Sequence, residues 1–205
     1  DLDRIAAETF GFSGAQLESV LNEAAIYAMR DGAERIGQTH LTQAIDKVMM
    51  GEKADREASK EEKRRVALHE LGHAIVAERV KPGTVSTVSL SPRGQALGYV
   101  RHYPGQDQYL YTRAEIEQQI MVALGGAVAE EMFYGNRSTG SRNDFEQALS
   151  LVRMMMDAGM TGLGIIDLQM VSKEELMREN AAILEQLTER TRQLLEGHRT
   201  VFERA

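Results

Sequence analysis

The segment 69–73, which reads HELGH, constrains this chain most, because it lies in a stretch that predicts a buried helix. Residues 64–80 contain no proline and are rich in apolar side chains, a pattern typical of such a helix. Positions i and i+4 share one helical face, so the imidazoles of His69 and His73 can reach a single metal ion. Burying these rings and a carboxylate without partners is costly, and a metal would remove that cost. The sequence therefore predicts a metal site on this helix.

The residue types in this segment are those of a zinc-dependent hydrolase. Neutral imidazoles suit Zn²⁺, and a carboxylate beside zinc-activated water can act as a general base. The candidate base is Glu70, about 100° around the helix from His69. Gly72, which weakens a helix interior by about 1 kcal/mol, indicates that another backbone or a ligand passes close by. A chance match in an unrelated helix is the competing interpretation, and the buried character of the flanks argues against it.

Composition limits the ligands and the partners that this chain can use. Its 205 residues include no cysteine, so disulfides and thiolate zinc sites are excluded, and any metal must use histidine and carboxylate. A formal net charge of −7 argues against nucleic acid as a partner. No apolar run approaches the roughly 20 residues of a membrane span, and nothing resembles a signal peptide. We therefore expect this part of the protein to be soluble.

We expect a mainly α-helical chain with two modules. Residues 1–51 predict a small helical bundle, because Ser13 and Gln16 form a capping box ahead of a long amphipathic helix. A second helix is predicted over 39–50. Residues 52–205 predict a larger helical domain with a small β element.

The larger module alternates helical and strand-like patterns, after a charged stretch at 51–65 that is typical of a linker or a solvated helix face. The predicted helices are 64–80, 112–134 and 143–158, followed by a final helix that extends to Val201. Asn143 and Glu146 are predicted to cap the third of these helices, and Ser172 and Glu175 the last. The predicted strands are 85–90 and 96–103, separated by a turn at Pro92-Arg93-Gly94.

A catalytic zinc usually takes three protein ligands, so one more must be found. The extended motif with a third histidine is excluded, because that position holds Arg79. The three histidines outside the motif have no motif of their own. Among carboxylates, Glu130 and Glu131 end a buried-looking helix, and Asp144 follows a polar loop. Asp144 could simply stabilise the first turn of its helix, and spacing alone does not choose between Asp144 and Glu131.

Further short motifs occur along the chain in one order. They are FSGA at 12–15, NEAA at 22–25, MMG at 49–51, HELGHA at 69–74, PRG at 92–94 with ALGY at 96–99, YTR at 111–113, GG at 125–126 with AEE at 129–131, and STG at 138–140 with ND at 143–144. Together they resemble the FtsH-type membrane-anchored AAA zinc metalloproteases. The resemblance runs from the first residue to about Gly164.

The resemblance implies a zinc-dependent endopeptidase with one Zn²⁺ per chain, Glu70 as general base and Asp144 as the third ligand beside the two histidines. It also implies that Glu131 supports the site from nearby. Residues 1–51 would be the helical lid of an AAA ATPase domain. No phosphate-binding loop of the form GxxxxGK[ST] occurs here, so ATP would bind only through an ATPase core that this chain lacks.

The resemblance further implies protein or peptide substrates, a homo-hexamer, and a membrane anchor outside this chain, in a bacterial inner membrane or an organellar membrane. Substrate would lie extended along the edge of strand 96–103. The chain departs from the family at Ala127, where arginine is common, and after Leu163, where the segment is short. A catalytically silent assembly module is the rival interpretation, and the intact set of two histidines, a glutamate and an aspartate argues against it.

Overall fold

The computed structural model describes residues 1–52, 59–90, 98–102 and 109–204. Within these ranges the chain is mainly α-helical with one two-stranded sheet, so the predicted fold class is confirmed. The helices are α1 (Leu2–Glu8), α2 (Gly14–Arg30), α3 (Gln38–Met50), α4 (Lys60–Val80), α5 (Arg113–Tyr134), α6 (Arg142–Asp157), α7 (Lys173–Glu196) and α8 (Arg199–Phe202). The strands are β1 (Val85–Ser89) and β2 (Tyr99–His102).

The helices α1 to α3 share a small apolar core of their own. Its buried members are Val20, Ala24, Ala44 and Ile45. The predicted capping box is present, since the Ser13 hydroxyl accepts from the Gln16 amide and the Gln16 side chain accepts from the Ser13 amide. The helix α1 was not predicted from the sequence. The boundary between the two modules at residue 51 stays a prediction.

The metal-motif helix α4 begins earlier than predicted. Ser59 caps it through a capping box with Glu62, so the end of the charged stretch 51–65 forms its first turns. The helix then crosses α5 at two glycines. A Cβ atom on Gly72 would overlap the carbonyl oxygen of Gly125, and one on Gly125 would lie 2.8 Å from the Gly72 carbonyl oxygen. The prediction of a close backbone at Gly72 is therefore confirmed.

The central helix α5 is buried along most of its length and packs against α4, α6 and α7. The fully buried side chains of this second core include Val76, Ile120, Val128, Val152, Met155, Leu187 and Leu195. Burying each large aliphatic side chain contributes about 1.5–3 kcal/mol. Both α4 and α6 pack against α5 in this core, which brings polar residues that are distant in the sequence together, His69 of α4 and Asp144 of α6 among them.

The start of α6 differs from the prediction by one residue, and that difference changes its cap. The helix begins at Arg142, and Ser141 occupies the cap position. Asn143 therefore lies inside the first turn and does not form the predicted cap with Glu146, whose carboxylate instead accepts from the Arg142 side chain at 3.0 Å. Asp144 lies in the same first turn.

The two strands pair antiparallel, with Val88 opposite Val100 and Ser89 opposite Tyr99. Both predicted strands are therefore present, in shorter form. The predicted turn at 92–94, and residues 96, 97 and 103 of the second strand, lie outside the described residues.

The last predicted helix is divided in two. The helix α7 ends at Glu196, Gly197 follows it, and α8 is a separate short helix. The ring of Phe202 in α8 packs on Phe133 with a centroid distance of 5.0 Å. Among the described residues, every helix is too short or too polar to traverse a bilayer.

Candidate metal centre

Three side chains from two helices bring one ligand atom each to a common point. The Nε2 atoms of His69 and His73 lie 3.0 Å apart. The Oδ2 atom of Asp144 lies 3.2 Å from the first and 3.6 Å from the second. In a tetrahedral zinc site with bonds of about 2.0–2.2 Å, neighbouring ligand atoms lie about 3.3–3.6 Å apart. The spacing therefore fits one ion of that size.

The outer nitrogens of both imidazoles already have acceptors. His73 Nδ1 lies 2.7 Å from the carbonyl oxygen of Val122, which can only accept, so this nitrogen donates. His69 Nδ1 lies 2.8 Å from the Glu130 Oε1 atom. In the neutral rings, both Nε2 atoms then carry lone pairs that point toward each other and toward a carboxylate. Such a set of lone-pair atoms can ligate a cation, and it suits Zn²⁺.

The carboxylate that holds His69 is Glu130 and not Glu131, so the prediction is wrong on this point. Only 1% of Glu130 is exposed. Besides His69, it accepts from the Ser138 hydroxyl at 2.9 Å and from the Arg65 guanidinium at 2.8 Å. A buried carboxylate with three donors is a fixed acceptor for the imidazole N–H.

Glu131 points elsewhere because neighbouring residues on a helix differ in direction by about 100°. Its carboxylate accepts from Arg137 at 2.8 Å and lies 3.3 Å from Arg192 on α7. One signal in the sequence could have identified Glu130. That signal is the spacing from Gly126: Glu130 lies four residues later and therefore on the same face of α5, the face where the glycine contacts the His69 ring.

The two acidic residues beside the imidazoles have opposite pKa shifts. Burial raises the pKa of the Glu70 carboxyl, and the charges of His73 and His69 offset only part of that shift. Burial acts in the same direction on Asp144, but its contacts with the two imidazoles outweigh it and hold the pKa of Asp144 well below its usual range. Asp144 thus suits an ionised ligand, and Glu70 suits a group that takes up a proton.

Two glycines leave space around these side chains. A Cβ atom on Gly126 would lie 2.5 Å from the Nε2 and Cε1 atoms of His69. A Cβ atom on Gly98, just before β2, would lie 2.9 Å from Cγ and 3.1 Å from Oε1 of Glu70. The backbone before β2 therefore passes directly over the Glu70 side chain. Sequence reasoning noted both glycines within motifs but did not connect them with the site.

Replacing Gly98 with alanine is expected to lower any hydrolytic activity that depends on Glu70 while leaving the metal ligands in place. The added methyl group would crowd both the Val66 side chain and the Glu70 side chain and push the carboxylate aside. A displacement of about 1 Å can cost about 10²-fold in rate. The rate of peptide cleavage and the metal content of the purified variant would be measured together. Gly37→Ala is the matched control, since a Cβ atom there meets only ordinary contacts. Wild-type activity in Gly98→Ala would contradict this view of the site.

The fold and the site together define a class of protein. Two histidines one turn apart on a buried helix with a glutamate between them match the residue pattern of a zinc metallopeptidase, and the two histidines together with Asp144 could hold a metal ion. Residues 56–203 match the family model of Peptidase family M41, and residues 1–43 match that of the AAA+ lid domain. The chain belongs to Peptidase family M41.

Several relatives carry a zinc metalloprotease name. The chain is 41% identical over 216 residues to "ATP-dependent zinc metalloprotease FtsH 2" of Symbiobacterium thermophilum, covering 97% of this chain and 37% of that protein. It is 45% identical over 161 residues to "ATP-dependent zinc metalloprotease FtsH 1" of Methylacidiphilum infernorum, covering 76% of this chain and 25% of that protein. It is 42% identical over 188 residues to "ATP-dependent zinc metalloprotease FtsH 1" of Sphaerobacter thermophilus, covering 91% of this chain and 29% of that protein. The chain thus spans little more than a third of these relatives at most.

Proposed function

We propose that this chain is the proteolytic part of an ATP-dependent zinc metalloprotease, and that His69, His73 and Asp144 hold one zinc ion. The observation that carries the proposal is the convergence of three ligand atoms whose supporting nitrogens already have acceptors. The names of the relatives, which cover up to 97% of this chain, support the same metal and the same activity.

Glu70 is the general base in this proposal. When bound, the zinc ion would supply Lewis-acid activation of water and of the scissile carbonyl. The Glu70 carboxylate accepts a proton from the attacking water and later passes it to the leaving amine. Its burial favours this role, since the raised pKa strengthens the carboxylate as a base. The His69 and His73 rings stay fixed during these steps because their outer nitrogens are hydrogen-bonded.

The substrates we propose are unfolded or membrane proteins, bound in extended form along β2. A peptide that adds to a strand gains main-chain hydrogen bonds whatever its side chains are. The location of β2 supports this choice, because the backbone at Gly98 leads into the strand and contacts Glu70. A peptide along this strand would therefore pass close to the proposed base.

The remaining parts of the proposal concern the longer protein. Residues 1–51 are proposed to be the lid of an AAA ATPase domain and residues 52–205 the peptidase domain, which the two family matches support. ATP would bind through the ATPase core, and a homo-hexamer anchored in a bacterial inner membrane or an organellar membrane would be the working form.

Digestion of casein with and without a zinc chelator tests the proposal. We expect cleavage that the chelator stops and that added Zn²⁺ restores. His73→Ala is expected to lose both the bound zinc and the cleavage, because one of three ligands is gone. Cleavage that continues in excess chelator would contradict a zinc mechanism. A zinc-loaded chain that cleaves neither casein nor an unstructured peptide would favour the rival interpretation, an assembly module.

A further inference from the structure

We propose that Arg65 is a positioning residue for the metal site and acts through Glu130 on His69. This inference rests on the proposed function, because it concerns how firmly the chain orients His69, one of the proposed ligands of the zinc ion. Arg65 lies one helical turn before His69 on α4 and does not contact the ligand atoms itself. Its role follows from what its guanidinium group touches.

The guanidinium group of Arg65 is held on three sides. Its Nη1 atom donates to Glu130 Oε2 at 2.8 Å, and its Nη2 atom donates to the Asn136 side-chain oxygen at 2.9 Å. Its carbon atom lies 4.2 Å from the centre of the Tyr134 ring, within the range of a cation–π contact. The side chain is 24% exposed. A planar fork with two acceptors and a ring beneath it has one preferred orientation.

Glu130 depends on this group for its own orientation. Its Oε1 atom faces the imidazole N–H of His69 and the hydroxyl of Ser138, and its Oε2 atom faces Arg65. Removing one partner of a buried ion pair is costly, because the other charge stays buried without compensation. Without Arg65, the carboxylate would turn toward another donor or toward water, and the hydrogen bond that orients His69 would weaken.

The same guanidinium group also joins α4 to the segment that leads to the third ligand. Asn136 follows the turn at Gly135 that ends α5, and the chain continues from there into α6 and Asp144. Arg65 therefore connects the helix that carries the two histidines with the start of the path to the aspartate. Groups that orient metal ligands in this way typically change metal affinity about 10–100-fold when mutated.

The test compares zinc affinity and a cobalt spectrum in matched variants of the 205-residue chain. Arg65→Met removes the charge and keeps most of the aliphatic stem, and Arg64→Met makes the same change at an exposed neighbour on the same helix. We expect zinc to bind about 10-fold more weakly in Arg65→Met, by competition with a chromophoric chelator, and unchanged in Arg64→Met. The visible spectrum of the Co²⁺-substituted protein should also change, because it reports ligand geometry and not overall stability.

Each result decides a separate point. If the wild-type chain binds no zinc, both this inference and the proposed function fail. If the wild type binds zinc and Arg65→Met matches it in affinity and in cobalt spectrum, only the positioning role is overturned. Should Arg65→Met not fold, Arg65→Lys and Asn136→Ala provide the test, since the first removes the guanidinium fork and keeps the charge, and the second removes one acceptor of the fork. Both are expected to weaken zinc binding by a smaller factor, and wild-type affinity in both would equally overturn the role.

Discussion

Glu70→Gln is expected to abolish peptide hydrolysis while the chain still binds about one zinc ion, as the three proposed ligands predict. Glutamine has nearly the same shape as glutamate, so the packing around this buried residue, of which 9% is exposed, should be retained. The amide cannot accept a proton from water, and loss of a general base costs about 10²–10⁴-fold in rate. The initial rate of peptide cleavage and the zinc content by elemental analysis would be measured on the same sample.

Glu61→Gln is the matched control, because Glu61 lies on the same helix, in its exposed first turn. We expect it to keep wild-type activity and zinc content. Cleavage retained in Glu70→Gln would remove Glu70 from the role of base. Loss of zinc in that variant would show instead that the carboxylate is needed to hold the site together.

Gly126→Ala is expected to have the second large effect, a loss of zinc affinity and with it of activity. The added Cβ atom would lie 2.5 Å from Nε2 of His69, which is closer than such atoms can approach. The ring must move away from its place beside His73. Overpacking of this kind costs about 1–3 kcal/mol, which corresponds to about 5–150-fold in affinity if it falls on metal binding.

The helix propensity of alanine favours this substitution, so a loss of zinc affinity could not be explained by a weaker helix. Alanine favours a helix interior over glycine by about 1 kcal/mol, so helix α5 itself should be more stable in Gly126→Ala. Gly14→Ala, in the first turn of α2, is the control, since a Cβ atom there meets nothing within 4 Å. Competition with a chelator would measure zinc affinity in both. Wild-type affinity in Gly126→Ala would show that the ring is not confined as the structure places it.

Much of the fold could be predicted because its signals are local. The Ser13 capping box was predicted and lies next to the helix that it starts, and the bounds of α5 were predicted within one residue. The placement of the two histidines needs only the helical repeat. The start of α4 was missed although its signal, the Ser59–Glu62 capping box, is also local. The end of α7 was missed because it depends on more distant packing. Gly197 ends α7, and α8 then places Phe202 against α5.

The other residues of the candidate site could not be predicted from spacing alone, because they depend on which face of each helix points toward His69. Spacing did not choose between Asp144 and Glu131, and the prediction named Glu131 where the structure places Glu130. Adjacent glutamates are equivalent in a sequence, whereas in the fold one faces His69 and the other faces Arg137. The contact of Arg65 with Glu130 joins residues 65 positions apart, so no local pattern signals it.

The ligand set of the zinc ion is tested most directly by zinc K-edge X-ray absorption of the zinc-loaded wild-type chain. We expect nitrogen and oxygen neighbours at about 2.0–2.2 Å, no sulfur, and the outer-shell scattering of two imidazole rings. His73→Ala should retain little zinc, and the zinc that remains should show the scattering of only one ring. A spectrum without imidazole scattering, or with both rings still present in His73→Ala, would contradict a site built from His69, His73 and Asp144.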